Sequence, residues 1–461
     1  MSTQVFSNLP LKAELLSTLN DIGYAIMTPI QAQSLPTILE GKDVIAQGKT
    51  GSGKTAAFAL GLLNRLNVKR FRIQSLVLCP TRELADQVAI EIRKLARGIH
   101  NIKVLTLCGG VPVGPQIGSL EHGAHIIVGT PGRILDHMEK GRLSLEEVNT
   151  LILDEADRML EMGFQPALDA IFAEVPKARQ TLLFSATYPA QIEKIAQQIM
   201  VKPTMVKVES NHDSNTISQH FYQCENNRER MHALRLLLLK HQPESAVVFC
   251  NTKRDVKDVA AVLENDGFSV VALHGDLEQR DRDQMLLKFA NKSVTIMVAT
   301  DVAARGLDIE ALDAVINYHM AYDTEVHIHR IGRTGRAGSE GAAYTFFGPE
   351  DGYKTALLED YLERDIKSEA LPDDSVLRNA PRTPEMVTLH IEAGKKSKVR
   401  PGDILGALTG ENGIEGKEVG KIKVTDYRSY VAVKRDVAKK ALKKLTSGKI
   451  KGKTCRVWQL R

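Results

Sequence analysis

The sequence is poor in aromatic residues, and its cysteines form no pattern. Aromatic residues make up 5% of the 461 positions, and there is a single tryptophan. The five cysteines are Cys79, Cys108, Cys224, Cys250 and Cys455. No two of them have the spacing of metal ligands, and an odd number argues against a disulfide framework. The pattern indicates a reducing compartment, with cysteine used mainly as a small apolar residue.

Long apolar segments are also missing. No run approaches the roughly 20 residues that span a bilayer. The first residues, MSTQVFSNLPLKAELL, lack the basic start and apolar stretch of a signal peptide. We therefore expect a cytoplasmic protein. Its length of 461 residues predicts two or three domains rather than one core.

Charge is unevenly distributed along the chain. Residues 385–461 contain 19 Lys and Arg against 8 Asp and Glu, a net charge of +11. The whole chain carries only +5, so residues 1–384 sum to −6. A basic module most often meets a polyanion, although a solvated lysine-rich surface would have the same charge.

Short apolar runs alternate with helical patterns through most of the chain. Predicted strands in the first part are 43–46, 75–79, 125–129, 150–154 and 181–185. After a polar segment they resume at 245–250, 268–273, 295–300 and 314–318. Continuously apolar strands separated by helices predict an α/β fold with parallel sheets covered on both faces.

Polar and proline-rich segments suggest the domain boundaries. We predict a first α/β domain at 1–207, a linker at 208–216, a second α/β domain at 217–370 and a linker at 371–384. Residues 385–461 change to the order strand, helix, strand, strand, helix, strand. This order predicts a small α+β domain.

A phosphate-binding loop follows the first predicted strand. The run that fits GxxxxGK[ST] is Gly48, Lys49, Thr50, Gly51, Ser52, Gly53, Lys54 and Thr55. Such glycines let backbone N–H groups face phosphate oxygens, while the lysine reaches the outer phosphates and the Thr55 hydroxyl meets Mg²⁺. The strand before it and the helix after it supply the expected context, which predicts ATP and Mg²⁺ as cofactors.

A carboxylate pair ends the apolar strand TLILD. Asp154 is placed at the carboxyl edge of the sheet, where α/β proteins bind ligands. We expect Asp154 to hold Mg²⁺, and Glu155 to orient and deprotonate the attacking water.

Residues 154–157 read Asp-Glu-Ala-Asp, and with the phosphate loop they resemble the DEAD-box RNA helicases. The resemblance runs from about residue 6 to 350 and implies two tandem RecA-like domains that close over ATP and RNA. It implies adenine recognition by Tyr24, Thr28 and Gln31, with Phe6 as the upstream aromatic, and a ribose contact at Asp308. The family usually has Ala at position 48; we expect Gly48 to add backbone freedom and activity to persist.

The resemblance also implies RNA contacts in both lobes. In the first lobe these are Pro80, Thr81, Arg82, Gly110, Thr130, Gly132 and Arg133. In the second they are Asn251, Thr252, Gly275, Gln279, Arg282, Thr300 and Arg305. Thr130 and Pro131 have the pattern of a helix cap followed by proline, which leaves N–H groups free for a phosphate. Contacts of this kind read the backbone and not the bases.

Two further motifs have expected catalytic roles. Ser185 and Thr187, at a strand end, resemble the segment that couples hydrolysis to strand separation, and we expect them to reach a carboxylate such as Asp157. By resemblance, Arg333 and Arg336 stabilise charge on the γ-phosphate.

The basic module resembles the C-terminal domain of the bacterial DbpA-type subgroup, an RRM-like fold that docks on a hairpin of large-subunit ribosomal RNA. The first strand of this module, Met386–Ile391, has no aromatic residue, and residues 420–433 contain only the aromatics Tyr427 and Tyr430, so we expect few stacked bases. The expected RNA contacts are Lys421, Lys423, Arg428 and Lys434.

These features together predict an ATP-dependent RNA helicase that acts as a monomer in large-subunit assembly, with large-subunit ribosomal RNA and pre-ribosomal particles as its partners. Two alternatives remain at this point. A DNA helicase would share Lys54 and Asp154, and a non-catalytic RNA-binding scaffold would share the basic module.

Overall fold

The computed structural model describes residues 4–48, 51–208, 217–304, 312–335 and 341–460. These residues fall into two compact units, 4–208 and 217–460. None of the helices in these ranges combines the length and the apolar content that a bilayer crossing needs.

The first unit is a parallel sheet covered by helices on both faces. Its strands are β1 Val44–Gln47, β2 Ser75–Leu78, β3 Val104–Leu107, β4 Ile126–Gly129, β5 Thr150–Asp154, β6 Gln180–Ser185 and β7 Thr204–Lys207. Its α-helices are α1 Ala13–Asp21, α2 Pro29–Leu39, α3 Lys54–Arg65, α4 Arg82–Leu95, α5 Gly114–Glu121, α6 Pro131–Glu139, α7 Ala156–Glu161, α8 Gln165–Glu174 and α9 Ala190–Ile199. The strand order is β3-β4-β2-β5-β6-β1-β7, with every pair parallel.

Alternate residues of each central strand pack into two separate hydrophobic cores, one on each face of the sheet. In β6, Leu182 and Phe184 pack with the core formed by α1–α4, whereas Leu183 packs with the core on the opposite face. Both faces are therefore buried, which explains why these strands are apolar at nearly every position.

The second unit contains another parallel sheet. Its strands are β8 Ile217–Gln223, β9 Ala246–Phe249, β10 Val270–Leu273, β11 Ile296–Ala299, β12 Ala314–Asn317 and β13 Gly341–Phe347, in the order β10-β11-β9-β12-β13-β8. Its α-helices are α10 Asn227–His241, α11 Lys253–Asn265, α12 Gln279–Ala290, α13 Asp301–Ala304, α14 Thr324–Ile331 and α15 Gly352–Leu362. Side chains of Asn226, Thr252 and Asp323 cap α10, α11 and α14, because each accepts a hydrogen bond from a backbone N–H three residues later.

The same unit ends in a small antiparallel sheet. Its elements are β14 Met386–Ile391, α16 Pro401–Thr409, β15 Val419–Val424, β16 Ser429–Lys434, α17 Ala438–Ser447 and β17 Val457–Gln459. The strand order is β15-β16-β14-β17, and both helices pack on one face. The predicted strand and helix order is confirmed, as is the α/β class with two parallel-sheet domains.

The opposite face of the small sheet contacts the second parallel-sheet domain. Asn291 donates its amide to the Thr388 hydroxyl at 3.1 Å, and the Ser293 and Thr388 hydroxyls lie 2.6 Å apart. Thr388 and its partner across the sheet, Ala432, are both almost completely buried. The middle of this sheet face is thus covered by protein.

The strands predicted for the two parallel sheets are all present, with ends within two residues of the predicted bounds. Four strands were not predicted: β3, β7, β8 and β13. In β7 only Val206 is buried, so the strand lacks the apolar run that marks the central strands.

Candidate functional site

The carboxyl ends of six neighbouring strands meet at one edge of the first sheet. The phosphate-binding loop, the carboxylate segment 154–157 and the predicted coupling segment follow β1, β5 and β6, and the segments predicted to bind RNA follow β2, β3 and β4. Because the order is β3-β4-β2-β5-β6-β1, the two sets lie side by side. Such an edge is where parallel sheets place ligands.

The phosphate-binding loop connects β1 to α3. Gly53 has a φ of 92°, a left-handed conformation that favours glycine, and Lys54 begins the helix. The Lys54 side chain is buried and its ammonium donates to the Gly48 carbonyl, so the cation lies inside the loop. Thr55 follows it, half-buried, in the first turn of α3. Of the predicted loop residues, Lys49 and Thr50 lie outside the described residues.

Space, rather than backbone freedom, accounts for the glycine at position 48. Gly48 does not have a positive φ. A Cβ there would stand 2.7 Å from Cδ1 of Ile30 and 3.3 Å from the Ser52 hydroxyl. Ile30 is completely buried in α2, so its side chain has little room to withdraw. The expectation that Gly48 supplies conformational freedom is therefore corrected.

The predicted adenine-reading segment is attached to this loop. The Gln31 side chain accepts a hydrogen bond from the Thr28 N–H at 2.9 Å and donates one to the Gly53 carbonyl at 3.1 Å. Each end of the amide keeps the capacity for one more hydrogen bond. The hydroxyls of Thr28 and Ser52 are buried without a hydrogen-bond partner. Two orphaned hydroxyls beside the loop fit a site that receives a polar ligand.

The two aromatic residues near this segment differ in their surroundings. The Tyr24 hydroxyl donates to Glu91 at 3.1 Å and accepts from Lys94 at 3.0 Å. The Lys94 ammonium also lies 4.5 Å from the centre of the Tyr24 ring. Phe6, in contrast, is buried in the apolar core of the first unit.

The carboxylates of 154–157 occupy three different environments. Asp154 ends β5 and is buried; burial, together with the charge of Glu155, raises its pKa to about 7 despite the opposing effect of Lys54. Glu155 adopts a left-handed backbone conformation, with a φ of 51°. For a residue other than glycine this conformation costs energy, and such strain often occurs at functional positions. A buried carboxylate with excess negative charge beside it suits a cation.

Asp157 is bound to the segment that follows β6. Its Oδ2 accepts from both the backbone N–H and the hydroxyl of Thr187, each at 3.0 Å, and its own N–H donates to the Ser185 hydroxyl at 3.4 Å. The Ser185 carbonyl in turn accepts from the Gly48 N–H at 3.1 Å. Ser185 thus joins the phosphate-binding loop to the carboxylate segment, and the expected contact with Asp157 is present.

The first-lobe segments predicted to bind RNA have different local structures. Thr81 follows Pro80 and caps α4, accepting from the Leu84 N–H, and Arg82 lies 3.7 Å from Asp86. Gly110 has a φ of 72°, a left-handed conformation that favours glycine.

Helix α6 begins as predicted, but its cap differs. Pro131 is the first helical residue, and the Thr130 hydroxyl accepts from the Gly109 N–H at 3.5 Å instead of capping the helix. A Cβ on Gly132 would meet nothing within 4 Å, so this turn has open space beside it. Arg133 donates to the Val111 carbonyl, which connects the segments after β3 and β4.

The second-lobe residues predicted to bind RNA follow β9, β10 and β11. Gln279 donates to Asp283 at 2.9 Å, Arg282 donates to the Ala303 carbonyl at 2.7 Å, and Thr300 accepts from the Ala303 N–H. Gly275 lies against the Lys253 side chain, and Thr252 caps α11. Arg305 and Asp308 lie outside the described residues.

A buried arginine that the sequence reasoning did not single out organises this edge. Arg330 is 2% exposed and donates twice to Asp301, at 2.7 Å each. It also donates to the side chains of Asn317 and Asn251 and to the His319 carbonyl. Asn251, predicted as an RNA contact, is therefore engaged within the protein. Residues 329–336 contain three arginines, Arg330, Arg333 and Arg336, and their sequence does not show which of them is buried.

The predicted catalytic arginines lie just after α14. The Arg333 N–H donates to the Arg330 carbonyl at 3.3 Å, and the Arg333 carbonyl accepts from the Leu312 N–H at 3.1 Å. Arg336 lies outside the described residues. No group of three or more His, Cys, Asp or Glu side chains in the described part of the chain could hold a metal ion.

The basic residues predicted in the C-terminal domain lie on or beside its sheet. Lys421 and Lys423 are exposed on the edge strand β15, and Lys434 ends β16 with its ammonium 3.8 Å from Glu385. The Arg428 backbone closes the turn between these strands through Thr425.

Comparison with known families identifies the family of this chain. The family models described as DEAD/DEAH box helicase, Helicase conserved C-terminal domain and DbpA RNA binding domain match residues 28–195, 229–338 and 388–459. The chain is 54% identical to the ATP-dependent RNA helicase DbpA of Escherichia coli over 442 residues, covering 96% of each protein. The chain belongs to the DbpA-type DEAD-box RNA helicases.

Other relatives agree with this assignment. The DEAD-box ATP-dependent RNA helicase CshA of Geobacillus kaustophilus is 45% identical over 75% of this chain and 74% of its own. Among solved structures, S. cerevisiae Dbp5 bound to RNA and ADP BeF3 matches with a TM-score of 0.71 and 30% identity, covering 81% of this chain and 96% of that one. The chain is thus an ATP-hydrolysing RNA helicase with an RNA-binding domain at its carboxyl end.

The packing of Ile30 against Gly48 gives a direct mutational prediction. We expect Gly48→Ala to lower the free energy of unfolding by about 1–3 kcal/mol, because overpacking a filled site strains its neighbours. In an Ile30→Val background, which removes Cδ1, the same substitution should cost clearly less. Urea unfolding measures this free energy. The transition to follow is the one that shifts to a higher urea concentration when ATP is added, because a ligand stabilises the unit that binds it. An equal loss in both backgrounds would show that Ile30 does not exclude the Cβ.

Proposed function

We propose that this protein is an RNA-stimulated ATPase that remodels ribosomal RNA during assembly of the large ribosomal subunit, and that its C-terminal domain directs it there. The resemblance of residues 385–461 to the DbpA-type domain supports the ribosomal target, and the net charge of +11 in this segment suits a polyanion. We further propose that it acts as a monomer in the cytoplasm, with domains at 1–207, 217–370 and 385–461.

The proposed hydrolysis uses groups at the edge of the first sheet. Lys54 neutralises the outer phosphates, and the backbone N–H groups of the loop orient them. The Thr55 hydroxyl and the Asp154 carboxylate would hold Mg²⁺, which supplies further neutralisation of phosphate charge. Glu155 orients the attacking water and accepts its proton. Arg333 and Arg336, assigned by resemblance, stabilise the charge that develops on the γ-phosphate.

The observation that carries this proposal is the connection through Ser185. Its carbonyl contacts the phosphate-binding loop, and its hydroxyl contacts Asp157 of the carboxylate segment. A shift of the phosphate-binding loop would therefore displace Ser185 and, through it, Asp157 and Thr187. We propose that these contacts relay the state of the nucleotide to the RNA-binding segments at the same edge.

The role of Glu155 can be tested by removing its charge alone. We expect Glu155→Gln to reduce RNA-stimulated ATP hydrolysis by at least about 100-fold, in line with the 10²–10⁴-fold contribution of general-base catalysis. Binding of a fluorescent ATP analogue should persist, because the phosphate loop is unchanged. Glu161→Gln, at the other end of α7, is the matched control and should keep its turnover. Unchanged hydrolysis in Glu155→Gln would show that another group activates the water.

The ribosomal target can be tested with substitutions in the full chain. We expect large-subunit ribosomal RNA fragments to stimulate hydrolysis at much lower concentrations than small-subunit fragments of equal length. Lys421→Glu together with Lys423→Glu should weaken this advantage, because both lysines are exposed on β15. The half-maximal RNA concentration is measured at fixed salt, since phosphate contacts depend on ionic strength.

A charge-matched control separates a local contact from the loss of net positive charge. Lys177→Glu with Lys202→Glu makes the same charge change near the amino ends of β6 and β7, at the edge opposite the predicted site. This variant should keep the advantage of large-subunit RNA. If the wild-type protein shows no such advantage, the ribosomal target is wrong.

A further inference from the structure

A row of four side chains crosses the small antiparallel sheet. The strand register pairs Lys423 with Tyr430, Tyr430 with His390, and His390 with Trp458, so all four project from the same face. This is the face opposite the helices, because the intervening residues Leu389 and Val431 pack in the core. The row therefore runs across every strand on the side that contacts the second parallel-sheet domain.

Three of these four side chains form a cluster of tilted rings. The His390 ring lies 4.0 Å from the Trp458 ring and 4.8 Å from the Tyr430 ring, measured between centroids. His390 and Tyr430 are buried, but Trp458 is 41% exposed. Trp458 is thus the accessible member of this aromatic cluster, with the buried His390 ring packed against it.

The adjacent row of the sheet is closed to ligands. Thr388 and Ala432 are covered, with Asn291 and Ser293 of the second parallel-sheet domain bonded to Thr388. An RRM that stacks bases on its central strands needs that area open. In this protein the accessible aromatic surface has moved to the outermost strand, β17.

His390 contains a polar atom that the protein does not satisfy. The residue is 2% exposed, and its Nε2 is buried without a hydrogen-bond partner. Burial and the nearby charges of Arg428 and Arg280 lower its pKa, while Glu392 opposes them, so the ring is neutral near pH 7. A buried polar atom without a partner costs free energy.

The charges around this aromatic cluster favour a polyanion over an apolar protein partner. Lys423 stands at the other end of the row, and Arg428 lies in the turn between β15 and β16 beside the 70% exposed Tyr427. Arg280 contributes positive charge from α12. An exposed indole with cationic side chains elsewhere on the same sheet suits single-stranded nucleic acid, in which bases stack and phosphates are neutralised.

We propose that Trp458 is a stacking platform for one unpaired nucleobase of the bound RNA, with His390 packed against the indole and with Lys423 and Arg428 placed across the sheet for phosphates further along the strand. Stacking on the indole accepts any base, so this site selects unpaired over paired nucleotides rather than a sequence. The inference rests on the proposed RNA-targeting role of the C-terminal domain and assigns it a residue.

Trp458 is the only tryptophan of the chain, so its fluorescence reports on this site in the unmodified full-length protein. We expect a single-stranded RNA to quench the emission in a saturable manner and to protect Trp458 from acrylamide. A blunt duplex of the same length should do so far less. Fluorescence anisotropy of the labelled RNA measures binding independently. Unchanged emission at RNA concentrations where anisotropy shows a saturated complex would overturn the inference.

Substitutions provide the second measurement. Trp458→Ala should weaken single-stranded RNA binding by about 5- to 100-fold, the range expected for loss of one stacked base. Trp458→Phe should retain most of the affinity, because it keeps an aromatic face. Tyr353→Ala removes a 78% exposed aromatic of α15 and is the control that should bind as the wild type does. Circular dichroism and the thermal midpoint verify that each variant is folded.

The outcomes separate this inference from the proposed function. If the wild type prefers large-subunit RNA and folded Trp458→Ala binds equally well, stacking fails while the ribosomal target stands. If Trp458 is quenched and its removal weakens binding, but large-subunit fragments have no advantage, the stacking site stands and the ribosomal target fails. Equal weakening in Trp458→Ala and Trp458→Phe would also overturn the proposal, since an aromatic face would then not be what binds.

Discussion

The hydrogen bonds of Ser185 are the constraint on which the rest of the first unit depends. The Ser185 carbonyl fixes the start of the phosphate-binding loop through the Gly48 N–H, and its hydroxyl accepts from the N–H of Asp157. Because β6 lies between β5 and β1, only a residue at the end of this strand can reach both neighbours. Parallel strands with their carboxyl ends at one edge thus turn distant motifs into one site.

How far the fold could be predicted depended on where each strand lies. Central strands such as β5 are buried on both faces, so their sequences are apolar throughout and identify them. The edge strand β7 buries one residue of four, and β13 begins Gly-Ala-Ala, residues with weak strand preference, although it is largely buried. No local sequence pattern predicts the strand order, because the order depends on how the helices and strands pack together.

The same distinction between local patterns and tertiary packing applies to the candidate site. Gly53, Lys54 and Asp154 were predictable because phosphate chemistry requires particular residues at fixed spacings. The contact of Ile30 with Gly48 was not, because it depends on how α2 packs against the loop. Trp458 and His390 lie 68 positions apart and become neighbours only through strand pairing. No local pattern relates these two residues, so their contact could not be predicted from the sequence.

The central claim is that ATP hydrolysis at this sheet edge is controlled by RNA bound at the same edge. The most direct measurement is the ATP hydrolysis rate of the full-length protein at saturating ATP, compared between an RNA and a DNA of the same sequence and concentration. The account predicts that RNA raises the rate severalfold and that DNA leaves it near the basal value, because the family contacts are made to RNA. Equal stimulation by DNA, or no stimulation by RNA, would contradict it.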